Sequence, residues 1–135
     1  MRYHANLEGS QQVPPVKTSA SGQASFQYHE NKMQISYRLN IKSIQRFFVA
    51  HIHLGRRGTN GPIVAFLYNG SPSISITQGQ VMGSIGQSDL TGPLEGQAVA
   101  DLAEQMTAGN TYVNVHTEQN PDGEIRGQII RTDRD

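Results

Sequence analysis

The sequence predicts an all-β fold, a Greek-key β-sandwich or barrel of about seven to eight antiparallel strands with one short helix. Apolar and polar residues alternate in short runs, turn-forming residues separate these runs, and a single stretch has helical spacing. The chain has 135 residues, including 14 Gly and 6 Pro. This length is typical of one domain, so residues 1–135 are predicted to form a single domain.

The elements of the first half follow in chain order. A short strand is predicted around residues 3–7, and the alternation over residues 24–39 predicts a hairpin with its turn at residues 30–32. The next strand is RFFVAHIHLG, which is followed by a loop with the turn signal Asn-Gly-Pro. The continuous apolar run PIVAFLY predicts a strand covered on both faces, and NGSPS is expected to end it.

The second half begins with ISITQGQVMGSIG, which suits one or two short strands. The helix is predicted within residues 90–110, where Ala98, Leu102 and Met106 recur at every fourth position and Gly109-Asn110 gives a C-terminal stop. The last hairpin joins TYVNVHT to GEIRGQII through a turn in which Gly123 adopts a positive φ.

Composition excludes several classes of function. Lys plus Arg and Asp plus Glu number 11 each, so the net charge is zero, which argues against a nucleic-acid partner. There is no cysteine, so disulfides and thiolate ligands are excluded. No apolar run reaches the ~20 residues of a membrane span. No signal peptide is visible at the N-terminus, which is expected of a cytoplasmic protein or of a mature segment after a start Met.

Three histidines predict a metal site. His51 and His53 share one parity of their strand, opposite Ala50 and Ile52, and should project together from its exposed face. In TYVNVHT, His116 likewise lies opposite the valines. If the two strands are neighbours, three imidazoles converge on one ion, with copper the first choice and zinc the second. Three protein ligands leave a coordination position open, which is typical of a reactive site.

The last hairpin supplies two further candidates. A turn centred near Asn120-Pro121 places Glu124 opposite His116 and Arg126 opposite Asn114, both on the histidine face. Glu124 could fix the tautomer of a metal-bound histidine, and Arg126 could attract a small anion. An ordinary ion pair between the two is the alternative.

The fourth ligand stays open from sequence. Water, Tyr112, which shares the parity of His116, and His4, if the first strand packs beside the site, are the candidates.

Three stretches resemble the CHRD domain family, which was first noticed as repeats in chordin. They are LEGSQQVPPVKTSASGQASF, AHIHLGRRGTNGPIVAFLY and YVNVHTEQNPDGEIRGQI, and together they extend the resemblance over roughly residues 3–130. The resemblance implies a β-sandwich and export to the periplasm or the extracellular space. Localisation in the cytoplasm stays open.

A weaker resemblance connects the ligand pattern with the copper-zinc superoxide dismutases. It implies that His51 and His53 match that family's His-x-His pair, His116 its histidine on a later strand, and Arg126 its arginine over the copper. The bridging histidine, the zinc-ligand cluster and the disulfide cysteines have no counterpart here. The implied site is therefore a mononuclear copper site, and this is an analogy of fold and pattern.

Three hypotheses remain open. The first is a copper-dependent superoxide dismutase, with superoxide as the small anionic substrate. The second is a non-enzymatic module that recognises a protein or matrix polymer through its exposed sheet or through the loop at Arg56 and Arg57. The third is copper storage or delivery. A homodimer is possible, because a flat exposed sheet could pair with another.

Overall fold

Seven β-strands and one α-helix form the structure, a computed structural model that describes residues 1–133, apart from the side chains at positions 71 and 72. The strands pair antiparallel throughout, and short 3₁₀ turns connect several of them. The bounds are β1 Arg2–Glu8, β2 Ser21–His29, β3 Gln34–Leu54, β4 Ile63–Ile85, α1 Val99–Thr107, β5 Thr111–Thr117, β6 Ile125–Gln128 and β7 Ile130–Arg131.

The sheet closes into a barrel. Its strand order is β2-β1-β6-β5-β3-β4, and a further pairing of β2 with β3 closes the ring, while β4 lies on β3 and β7 pairs with β1. The buried apolar cluster fills the inside, with residues such as Leu39, Ile52 and Val113 fully shielded from solvent. The predicted all-β, antiparallel class with one short helix is confirmed.

Strand β3 is longer than the sequence predicted. The hairpin strand over residues 33–39 and the strand RFFVAHIHLG are one element, not two. Ser43 and Arg46 adopt positive φ values of 56° and 53°, and the pairing with β4 is irregular between Ile44 and Val49. Such bulges bend a strand without ending it. The bend lets the first half of β3 pair with β2 and the second half pair with β5.

Strand β4 also corrects two predictions. NGSPS does not end a strand, because β4 follows β3 from the pair His53–Ile63 to the pair Ile35–Ile85. Nor is PIVAFLY covered on both faces, since Phe66 is 43 % exposed while Val64 is buried. Both corrections follow from the position of β4, which lies outside the closed ring and pairs with β3. Its outer face is therefore left partly open to solvent.

Helix α1 lies within the predicted residues, but Ala98 precedes it as the N-cap residue and is exposed. Leu102 and Met106 lie on the buried face, and the side chain of Asp101 accepts a hydrogen bond from the backbone N–H of Ala98 at the start of the helix. Gly109, with φ 74°, ends it as predicted. Within residues 1–133 no helix is long and apolar enough to cross a membrane.

Candidate metal centre

Strands β3 and β5 are direct neighbours, which was the condition for the predicted site. The register pairs His51 with Asn114, His53 with Tyr112 and Val49 with His116. Because residues opposite each other in a sheet share a face, the three histidines lie on one side of the sheet. The predicted common face is therefore present.

The three imidazoles form one cluster. Each offers a nitrogen, and these nitrogens all lie within 4.8 Å of one another. The closest pair is Nδ1 of His51 and Nε2 of His116, 3.2 Å apart. The ring of His53 stands 5.5 Å from that of His51 and 6.1 Å from that of His116, centroid to centroid. This spacing brings three nitrogen donors around one small volume.

The cluster is buried, which corrects the prediction of an exposed face. His51, His53 and His116 are 5 %, 7 % and 8 % exposed. The ring of Phe66 meets His51 edge-on at 4.5 Å, and the ring of Tyr112 stacks on His53 at 4.8 Å. The sequence hides this because the alternation of a strand shows which residues share a face, and the loops that fold over that face have no periodic signal.

Two backbone carbonyls fix the orientation of two histidines. Nδ1 of His53 donates to the carbonyl of Gly61 at 2.9 Å, and Nδ1 of His116 donates to the carbonyl of Pro121 at 2.7 Å. A carbonyl only accepts, so each Nδ1 carries the proton and each Nε2 presents a lone pair. Carbonyl acceptors of this kind are common partners of metal-ligating histidines.

One nitrogen of the cluster has no partner. Nε2 of His53 is buried and, among the described residues, it has no hydrogen-bond partner. Leaving a buried polar atom unpaired costs about 1–3 kcal/mol. A cation between the three rings would satisfy this lone pair, so the residues present fit a bound metal.

Burial also keeps the imidazoles neutral, which is the form that binds metals. It lowers the pKa of His51 to about 3, with further lowering by the neighbouring His116 and His53. The pKa values of His53 and His116 are lowered as well, again mainly by burial, although the carbonyl acceptors of Gly61 and Pro121 oppose the shift.

Arg126 lies beside the cluster and is 1 % exposed. Its guanidinium stands 3.5 Å from the centroid of the Tyr112 ring, the ring that stacks on His53. It donates to the carbonyls of Arg56 and Thr59 and to Oδ1 of Asn60, at 3.2, 2.6 and 2.9 Å. These three acceptors belong to the loop over residues 55–62, which also contains the Gly61 carbonyl. Arg126 therefore holds that loop in place.

Glu124 holds a second segment beside the cluster, the turn between β5 and β6. The register of β5 with β6 is as predicted, with Asn114 opposite Arg126. The carboxylate of Glu124 nevertheless makes no hydrogen bond to His116, so the predicted direct contact is not formed. Its hydrogen bonds hold the turn that carries the Pro121 carbonyl. The donors are Thr117, Gln119 and Asn120 to Oε1, and Thr18 to Oε2.

The remaining sequence candidates lie in different places. The hydroxyl of Tyr112 accepts a hydrogen bond from the N–H of Gly61 at 3.0 Å. His4 lies on β1, where its Nε2 contacts Asn6, and it is not a member of the cluster. The alternative ion pair between Glu124 and Arg126 is absent from the ion pairs of residues 1–133, which join Asp133 to the N-terminus and to Arg131.

Sequence reasoning missed the parts played by Gly61 and Pro121. Both were interpreted only as turn residues, in Asn-Gly-Pro and Asn-Pro-Asp-Gly. They act through backbone carbonyls, which every residue has, so residue type gives no direct signal. The usable signal is the position of each turn directly beside a histidine strand.

The comparison with protein families decides which family this architecture represents. The sequence matches the CHRD domain over residues 3–129. The chain belongs to the CHRD domain family. The match covers the histidines of β3 and β5, the loop over residues 55–62 and the β5–β6 turn, and it confirms the resemblance found in the sequence. A search of the curated proteins gives no match.

In this CHRD domain the three histidines of the cluster could hold a metal ion. Three neutral imidazoles with two fixed tautomers are a donor set that suits zinc, copper, nickel and iron. Three protein ligands leave at least one coordination position for a small molecule.

Proposed function

We propose that this CHRD domain binds one copper ion through His51, His53 and His116. The observation that carries the proposal is the buried Nε2 of His53, which has no hydrogen-bond partner among residues 1–133 and lies within a cluster of three imidazole nitrogens. The two carbonyl acceptors support it, because they hold the Nε2 lone pairs of His53 and His116 ready before any ion arrives.

Copper is the first choice because nitrogen sites generally bind Cu²⁺ more tightly than the other divalent first-row metals. Imidazole is also compatible with both Cu(I) and Cu(II). Zinc is the second choice, since it accepts the same ligands. The absence of cysteine removes the thiolates that would favour a structural zinc site.

We further propose that the site disproportionates superoxide. A bound copper ion would supply the one-electron chemistry. The chain's own residues would shape access: Arg126 and Glu124 hold the two covering segments, and we assign both to positioning because their hydrogen bonds are directed to those segments. Arg56 and Arg57 are exposed on the loop over residues 55–62, where their positive charge would attract a small anion. Export from the cytoplasm, which is common for CHRD domains, is part of this proposal.

Copper storage or delivery is the second candidate. The burial of all three histidines favours it, because a site that is 5–8 % exposed exchanges ligands with solvent slowly and retains its ion. The two candidates share the metal site and differ in turnover. A superoxide assay per bound copper therefore separates them.

The first experiment is metal analysis of untagged protein, followed by Cu(II) loading and electron paramagnetic resonance. We expect one copper per chain with nitrogen hyperfine structure. The variant His116→Ala and the double variant His51→Ala, His53→Ala should lose it. The matched control is His29→Ala, because His29 lies on β2, where its Nε2 contacts Ser36.

Two results would overturn the copper site: no stoichiometric loading of the parent protein, or equal loading of the parent and the double variant. If copper binds but superoxide is consumed no faster than by the His116→Ala protein, the storage candidate replaces the dismutase.

A further inference from the structure

The outer edge of β4 is free over most of its length. The strands β1, β2, β3 and β5 each pair on both sides within the closed barrel. β4 pairs with β3, and the one other bridge of its described part is Ala65 with Leu90, close to its start. The second half of the strand therefore presents an unpaired edge.

We define the free edge as residues 76–84. Its pairing with β3 is regular, without a bulge from Gln78–Lys42 to Ile85–Ile35. In the described chain its backbone groups have no partner outside β3. Met82 is 61 % exposed, and Gln78 and Gln80 are exposed as well. A regular, solvent-facing edge of this kind is a ready template for another strand.

The usual protections of an edge are missing here. Native edge strands commonly carry charges, especially Lys, or proline, or a bulge. Residues 58–88 include no Asp, Glu, Lys or Arg, and the one proline of β4 lies outside the free edge. The bulges of the β3–β4 pair lie elsewhere, between Ile44 and His53 of β3.

We propose that the free edge pairs antiparallel with the free edge of a second copy of this chain. A two-fold axis at the centre of the free edge would place Gln80 opposite Gln80 of the second copy and Gln78 opposite Met82. Like charges opposite each other would oppose such pairing, and this edge has none. The zero net charge of the chain also removes repulsion between copies.

The proposed dimer is weak and leaves the metal centre free. Two short strands bury less than the ~1,200 Å² of a stable specific interface, so association in the micromolar range is expected. The free edge pairs with the half of β3 up to Ile44, whereas His51 and His53 lie in the other half. Metal binding and dimerisation are therefore separable by experiment.

The test is sedimentation velocity of the full chain from about 1 to about 200 µM. We expect the weight-average mass of the parent to rise toward a dimer. The double variant Gln78→Lys, Gln80→Lys should stay monomeric, because the two lysines at position 80 would face each other and those at position 78 would add positive charge nearby. The matched control is Gln23→Lys, Ser25→Lys, two exposed positions of β2, which is paired on both sides. Circular dichroism checks that each variant folds.

The proposal is overturned if the parent stays monomeric throughout, or if the edge variant associates as the parent does. A cross-link then locates the interface. Because the chain has no cysteine, Gln80→Cys introduces a single thiol. Oxidation with diamide should convert the Gln80→Cys variant into a covalent dimer. The Gln23→Cys variant should give far less covalent dimer. Equal cross-linking of the two would place the contact elsewhere and reject the edge pairing.

Discussion

At the residue scale, the chemistry of the cluster depends on two backbone carbonyls. Gly61 and Pro121 each accept the Nδ1 proton of a histidine and so decide which nitrogen faces the centre. Arg126 and Glu124, which the sequence marked as candidates for substrate and ligand contacts, hold the segments that carry these carbonyls. The sequence correctly placed both residues near the cluster. Their hydrogen bonds, however, go to the two covering segments and not to the imidazoles.

Glu124 predicts a specific dependence of stability on pH. Burial alone would raise the pKa of its carboxyl group, but four side-chain donors, among them Thr18 and Thr117, outweigh burial and lower the pKa below its ordinary value. The ionised form thus stabilises the fold above the unfolded pKa, and this stabilisation is lost as pH falls through the folded pKa. The glutamine of Glu124→Gln does not titrate, so this loss of folding stability at acidic pH should be absent from the variant.

We expect Glu124→Gln to be less stable by about 1–3 kcal/mol at pH 7, since its amide would face donors, and to lose less stability than the parent on acidification. Urea unfolding at a series of pH values measures both effects. Glu104→Gln, at an exposed position of α1, is the control and should behave as the parent does. Parallel acid limbs for the Glu124 variant and the parent would refute this account.

At the element scale, the turn between β5 and β6 is built around Gly123. Its φ is 123°, a backbone conformation that residues with a side chain rarely adopt. A Cβ at this position would collide with the side chains of Asn114 and Gln12. Gln12 donates to Oδ1 of Asn114 at 2.8 Å, so this contact ties the segment after β1 to the histidine strand. The predicted positive φ of Gly123 is confirmed, and its steric cause is visible in the folded structure.

Gly123→Ala should destabilise the protein by about 2–4 kcal/mol, the sum of backbone strain and overpacking. The control Gly96→Ala also has a positive φ, 79°, but its Cβ would meet open space. We therefore expect it to cost about 1 kcal/mol, which is the strain alone. Thermal or urea unfolding of the two variants measures the difference. Equal losses would show that the contact with Asn114 and Gln12 is unimportant.

The long strands β3 and β4 show where element prediction from sequence fails. The turn signal at NGSPS marks a genuine irregularity, but it produces a break in register and not a strand end. No signal in the sequence marked the irregularity near Ser43, which also bends its strand without ending it. Whether a turn signal ends a strand depends on whether the chain beyond it finds the same partner. The long hairpin of β3 and β4 supplies that partner on both sides of the bend.

At the scale of the whole molecule, the fold brings the three histidines of the cluster together. His51 and His116 are 65 positions apart in the chain and 3.2 Å apart in space. The proposed ion would therefore bind the folded state far better than the unfolded chain, and binding should raise the thermal stability.

We expect Cu(II) at about 100 times its Kd to stabilise the fold by about 2.7 kcal/mol, which corresponds to several degrees in Tm. A chelator should reverse the shift. The shift should vanish in His116→Ala and persist in His29→Ala, whose histidine lies outside the cluster. A shift of equal size in both variants would indicate binding to other groups.

The sequence by itself determined the fold class, the family, the helix and the common face of the three histidines. These properties depend on local alternation, spacing and turn chemistry, which residue types encode directly. Only the tertiary structure decided that β3 and β5 are neighbours, that loops bury the histidine face, and that Gly61 and Pro121 orient two of the imidazoles. Such contacts join segments far apart in the chain through backbone groups common to all residues, so they arise only when the barrel closes.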